Sequence, residues 1–179
     1  MAQFEPAITS TLQHEGGYFH NPTTGECVNF GITAWTLRGF GYLPPQPSRE
    51  ATPAEIEFIR GMSKAWAAGF YLKHYWGNIG SIKDQSLANK VFDVGVNQGQ
   101  VTSIQELQRA CNLDAKPEAR LKVDGELGPE TLAVVNIRDP ITMLAGFRSM
   151  VEIHYRTIAT NNPALSSDLN GWLARLQAA

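Results

Sequence analysis

The chain has 179 residues, 43% of them hydrophobic and 18% charged, with a formal net charge of −2. This is enough apolar material for one domain, or for two small lobes sharing a core. The charge balance excludes the basic stripe that a nucleic-acid backbone requires, and no low-complexity tract points to disorder.

The opening segment, MAQFEPAITSTLQHEGG, has no basic start and no apolar core of signal-peptide length, so the expectation is a protein that begins in a cytoplasm. No window approaches the roughly 18 apolar residues of a membrane span, and membrane insertion is not expected. Cys27 and Cys111 are too few for a disulfide scaffold and too far apart for a local zinc knuckle, so free thiols are expected.

Phe4, Ile8 and Leu12 recur every four residues, which predicts a short amphipathic helix over about 5–15, closed by Gly16-Gly17. The Asn-, Pro-, Thr- and Gly-rich stretch to Thr33 reads as loop, with a small hairpin around Cys27 to Ile32. Thr33 can cap a short helix through Leu37, stopped by Gly39. Thr52-Pro53-Ala54-Glu55 is a capping box with proline at the first helical position. Ile56, Ile59, Ser63, Trp66, Phe70 and His74 follow it at helical spacing, predicting a single helix to about Trp76. Further helices are predicted over Gln85–Asn97 and Val101–Cys111, and another from Pro129. The longest opens at Asp139-Pro140, with Ile141, Leu144, Val151, Tyr155 and Ile158 on its buried face. A last short helix carries Trp172, Leu173 and Leu176, and the fold class expected is mainly α.

The chemistry centres on HEGGYFHNPTTGECVNFGIT, residues 14–33. His14-Glu15 begins like a zinc-protease helix, but that motif needs a second histidine where Tyr18 stands, and the glycines break the helix. No metal site or cofactor is therefore expected. Cys27 with a distant histidine is compatible with a thiol nucleophile, but no family signature surrounds it. Glu15 suits acid catalysis of glycoside cleavage better. A general acid for that reaction needs a pKa raised toward about 6, and the negative end of a helix dipole disfavours a charged carboxylate. The two glycines let the chain turn sharply away from the acid. The plain alternative is a solvated glutamate followed by a glycine helix cap.

HEGGY followed by FGIT, then LKHYWGNI, FDVGVNQG, LQRACNL with VDGELGPETL, and GWLARL, occur in an order that resembles glycoside hydrolase family 108, lysozyme-like muramidases of phages and some secretion systems. The resemblance implies a lysozyme-like α+β fold, with two helical lobes and a small hairpin or loop near residues 20–33 flanking the cleft. It also implies peptidoglycan glycan strands as substrate, Glu15 as catalytic acid, and a C-terminal peptidoglycan-binding-like region. The corresponding division is 1–95 for the catalytic lobe and 96–179 for the helical wall-binding lobe, or one continuous domain.

The sequence departs from the family pattern where two aspartates are usual, since Asn21 and Thr24 stand there, and the usual threonine before GIT falls near Val28 or Asn29. Glu26 is the only other carboxylate between Glu15 and Ile32, and becomes the candidate base; Thr24 is a weaker catalytic candidate. Tyr18 and Tyr75 are candidates for contact with sugar rings, and Asn97 and Gln98 resemble positions near the cleft of lysozyme-like folds. The function expected is a monomeric endolysin cleaving the bond between N-acetylmuramic acid and N-acetylglucosamine, held in the host cytoplasm until release. The alternatives are a lytic transglycosylase using Glu15 alone, or a non-catalytic wall-binding or virion protein.

Overall fold

The computed structural model describes residues 1–178, and the chain has the mostly helical, lysozyme-like α+β fold expected, with one small antiparallel sheet. Two compact units make it up: residues 12–73 form one, and residues 1–11 with 74–178 form the other. No helix among the described residues is long and apolar enough to cross a membrane.

The 12–73 unit begins with the end of α1 (Phe4–His14), which stops one residue short of Glu15. Strands β1 (Phe19–His20), β2 (Cys27–Asn29) and β3 (Ile32–Thr33) follow, pairing in that order. The predicted hairpin is therefore a three-stranded sheet, because Phe19 and His20 pair with Val28 and Cys27. Thr33 caps α2 (Ala34–Gly39), its hydroxyl accepting from the Thr36 amide at 3.1 Å. Gly41, not Gly39, provides the left-handed stop, at φ +74. The Gly41 amide bonds to the Arg38 carbonyl at 3.0 Å and the Tyr42 amide to the Leu37 carbonyl at 2.9 Å, a Schellman arrangement.

The capping box forms as predicted at the start of α3 (Pro53–Arg60). The long helix expected to Trp76 is instead broken: α3 ends before Gly61, and Ser63 caps a new helix, α4 (Lys64–Tyr71), by accepting from the Trp66 amide at 3.1 Å. A serine whose hydroxyl can satisfy an orphan amide three residues on competes with helix continuation, and periodicity cannot see that. A π-helical turn, Leu72–Trp76, continues α4.

In the other unit, α5 (Gln85–Gln98), α6 (Gln100–Cys111) and α8 (Pro140–Asn161) pack together, with α7 (Pro129–Ile137) before α8 and α9 (Leu169–Gln177) after it. Phe4 meets Trp76 and Phe92 edge-on at 5.6 and 5.8 Å, which fastens the start of α1. The buried face of α8 is Met143, Phe147, Val151, Tyr155 and Ala159, a strict four-residue repeat. Val151 and Tyr155 are as expected, but Ile141 is 78% exposed, and Leu144 and Ile158 only flank the buried row. Neighbouring helices choose among overlapping apolar stripes, and α8 offers several. Cys27 and Cys111 are free and buried.

Candidate active site

Glu15 is the first residue after α1, and its surroundings come from the β2–β3 turn. Asn29 pairs with Ile32 across a two-residue loop in which Phe30 has φ 50 and Gly31 φ 76, the signature of a type I′ hairpin. Phe30 is the one non-glycine residue with positive φ among those described. A left-handed conformation costs such a residue roughly 1–2 kcal/mol, so something must hold it. The Phe30 amide donates to the Gly16 carbonyl at 3.2 Å, and the hydroxyl of buried Tyr71, at the end of α4, donates to the Phe30 carbonyl at 2.9 Å.

This clamp places the turn against the acid. A Cβ built on Gly31 would lie 2.8 Å from the Glu15 Cδ and 2.9 Å from the Tyr71 Oη, and would overlap the Glu15 Oε2. The carboxyl of Glu15 therefore rests on the bare α-carbon of Gly31, half-buried. Each letter of FGIT acquires a physical reason. Phe30 is the strained corner, Gly31 makes room for the acid, Ile32 is fully buried, and Thr33 caps α2. Gly31→Ala combines a left-handed alanine with a collision at the carboxyl. It should lower wall-lysis turnover about a hundredfold, since an ångström of misplacement costs that much. Turbidity assays on permeabilised cells would read the loss.

The other acid candidate is elsewhere. Glu26 precedes β2 while the Phe30 turn follows it, so at roughly 3.3 Å per residue the two backbone positions are about 13 Å apart along the strand. Its carboxylate lies 3.7 Å from the Arg49 guanidinium, with both side chains well exposed. Thr24 belongs to the β1–β2 turn, where its hydroxyl accepts from the Glu26 amide at 3.3 Å. It lines a depression of about 330 Å³ with His20, Glu50 and Ile56. Asn21 accepts from the Thr23 and Thr24 amides at 2.9 and 3.2 Å, so it performs the turn role that an aspartate would also perform. Asn29 is buried and donates to the Ile59 carbonyl at 2.9 Å, tying β2 to the end of α3.

Tyr18 is engaged by Arg60, whose guanidinium lies 5.1 Å from its ring centroid and donates to its hydroxyl at 3.3 Å. Burial pushes the neighbouring Cys27 thiol up. Tyr75, Asn97 and Gln98 belong to the other unit. Tyr75 lies in the π-helical turn, its hydroxyl pushed up by burial and its carbonyl accepting from the Gln100 side chain at 2.8 Å. Asn97 donates to the Tyr155 hydroxyl at 3.1 Å, and Gln98 ends α5 half-buried. Asp93 pairs with Arg175 at 2.9 Å, a structural link between α5 and α9.

The DGELGPET segment is organised by Gln108. Its buried amide donates to Asp124 Oδ1, the Glu126 carbonyl and the Thr131 hydroxyl at 2.9, 3.0 and 3.2 Å, and accepts from the Gly125 amide at 3.0 Å. A depression of about 360 Å³ opens beside it, at the start of α7.

Residues 8–99, just over half of the chain, match the family model described as glycosyl hydrolase 108. The chain belongs to that family. Glycosyl hydrolase 108 membership makes it a lysozyme-like glycoside hydrolase with peptidoglycan as its substrate class. The solved structure of SagA from Brucella abortus is similar to this family 108 chain at a TM-score of 0.69 and 21% identity, over 97% of this chain and 92% of that one. That likeness is one of fold. Among curated proteins, no sequence match was found.

Sequence reasoning missed Phe30, Gly31 and Tyr71 as parts of the site. The hairpin around Cys27 to Ile32 was predicted, but nothing in its spacing said that its Phe30-Gly31 turn would meet Glu15; Tyr71, forty residues on within an aromatic-rich helix, carried no signal.

Proposed function

We propose that the chain is a muramidase, hydrolysing the β-1,4 bond between N-acetylmuramic acid and N-acetylglucosamine with Glu15 as general acid. The observation that carries this is the clamped turn. A strained Phe30, bonded on both sides, and a glycine pressed on the carboxyl spend conformational energy on placing one acid. In the proposed reaction Glu15 gives its proton to the glycosidic oxygen, the bond from that oxygen to the muramic C1 breaks, and the departing sugar leaves as an alcohol. A water then adds to C1 and returns a proton to the Glu15 carboxylate, which restores the acid. Tyr18, Tyr75, Asn97 and Gln98 are proposed to contact the glycan.

The position of Glu26, paired with Arg49 at the far end of β2, supports one carboxylate acting first as acid and then as base. Carboxyl pairs in inverting glycosidases stand roughly 6.5–9.5 Å apart. The same placement favours a second reading, in which the 6-hydroxyl of the muramic residue attacks C1 in place of water, as in lytic transglycosylases. The region 96–179 is proposed as the wall-binding lobe, with 1–95 catalytic. As a monomeric endolysin the protein would stay in the host cytoplasm until release.

Mass spectrometry of fragments from purified sacculi tests the proposal. Hydrolysis yields muropeptides with reducing muramic ends. Products lighter by one water, with anhydro ends, would replace it with the transglycosylase reading, and reducing N-acetylglucosamine ends would overturn the bond assignment. Intact sacculi would leave a wall-binding protein.

A further inference from the structure

The 12–73 unit carries an aromatic face that the proposed acid chemistry does not use. Phe40 and Tyr42, placed by the Schellman turn after α2, are 40% and 36% exposed, and Phe58 on α3 is 42% exposed. Trp66 on α4 is half-buried between them, meeting Phe58 at 5.6 Å and Tyr42 at 5.5 Å. Beneath lies buried Phe70, stacked on Trp66 at 5.8 Å and 15°, and meeting Phe40 at 5.3 Å.

Exposed rings of this size are costly to leave in water, at roughly 25 cal/mol per Å² of apolar surface, and three separate elements contribute them here. Two features say what covers them. The first is continuity with the acid: Phe70 packs edge-on against Tyr71 at 5.8 Å, and Tyr71 holds the turn on which Glu15 rests. The second is a polar rim. The Lys73 ammonium lies 5.4 Å from the Tyr42 ring centroid and donates to its hydroxyl at 3.3 Å, which puts donors beside the rings. A pyranose has that dual chemistry, with C–H groups on its face and hydroxyl and amide groups on its edge. Aromatic rings take the first and the rim takes the second.

We propose that Phe40, Tyr42, Phe58 and Trp66 form a glycan-binding platform, which holds sugar rings of the peptidoglycan strand away from the bond being cut. This rests on the reading of the chain as a peptidoglycan hydrolase. Its role is to hold a long strand in place, so it raises affinity for polymer and leaves cleavage of short fragments unchanged.

The test is co-sedimentation of the full chain with purified sacculi on ice, together with turnover of sacculi and of a short soluble muramyl tetrasaccharide. Phe58→Ser and Tyr42→Ala remove exposed rings, while Phe58→Tyr and Tyr42→Phe keep them. Each ring lost should weaken sacculus binding about 3- to 10-fold, raise KM on sacculi to match, and leave the tetrasaccharide rate and the circular dichroism spectrum unchanged. The ring-keeping variants should bind as wild type. Unchanged sacculus binding by the Phe58→Ser, Tyr42→Ala double variant overturns the platform. So does a wild-type self-association, seen by light scattering, that the double variant abolishes while sacculus binding stays intact; the face would then join two copies. A wild type that releases no muropeptide yet binds sacculi through these rings would sink the muramidase reading and uphold the platform.

Discussion

Glu15→Gln should reduce lysis of outer-membrane-permeabilised Gram-negative cells about a thousandfold, within the range that positioned general acids contribute. Glutamine has the same shape and can still hydrogen-bond, but it has no proton to transfer to the glycosidic oxygen. The packing that surrounds the position should tolerate it. Gly31 offers a bare α-carbon to whichever group stands there, and the Tyr71–Phe30 and Phe30–Gly16 bonds do not involve the Glu15 side chain. The melting temperature should therefore stay close to that of wild type, which separates lost chemistry from lost structure. Glu26→Gln, on the exposed pair with Arg49, should leave most of the activity. Retention of more than about a tenth of wild-type lysis by Glu15→Gln would remove Glu15 from the general-acid role, given the size of the contribution expected. Loss of activity in Glu26→Gln with Glu15 intact would instead restore a two-carboxylate mechanism.

Glu55→Gln should destabilise the 12–73 unit by about 3 kcal/mol, because removing one member of a buried pair strands the other charge. Glu55 and Arg38 are nearly fully buried, with Nη2 to Oε2 at 2.6 Å and Nε to Oε1 at 2.9 Å. Arg38 also donates to the Ser48 and Glu50 carbonyls at 2.6 and 3.0 Å, so one guanidinium ties α2, the 48–50 loop and α3 together. Glu55 in turn accepts from the Thr52 amide at 2.7 Å and completes the capping box. The guanidinium holds the Glu55 carboxyl below its ordinary 4.5. A carboxyl depressed in the folded state contributes stability that is fully present above its unfolded pKa and lost as pH falls through the folded one. Wild type should accordingly lose stability on acidification below about pH 4.5, in a step missing from Glu55→Gln. Urea titrations at pH 7 and pH 3.5 would measure both effects. Equal pH slopes for the two proteins would mean that the pair carries no such linkage.

These two variants probe features of very different legibility. The capping box at Thr52 and the caps at Thr33 and Asp139 were readable from sequence, since each is a bond between a side chain and an amide two or three residues away. Glu15 was also readable, as an acid at the end of an apolar helix before two glycines, and HEGGY with FGIT carried its family. The Arg38 partnership was not, because Glu55 is seventeen residues on and the sequence holds other carboxylates as plausible.

Local physics thus determined the mainly helical class, most helix starts and the identity of the candidate acid. Tertiary structure decided the rest. It chose Met143 and Phe147 over Ile141 and Leu144 as the buried row of α8, whereas the break at Gly61–Ser63 in the helix expected over 52–76 is local, made by the Ser63 cap that periodicity passes over. It also set Gly31 and Tyr71 against Glu15 and carried Glu26 to the opposite end of β2. Caps and periods are properties of a few adjacent residues. Which side chains converge on an acid depends on how strands and helices far apart in the chain come together, and residue spacing does not encode that.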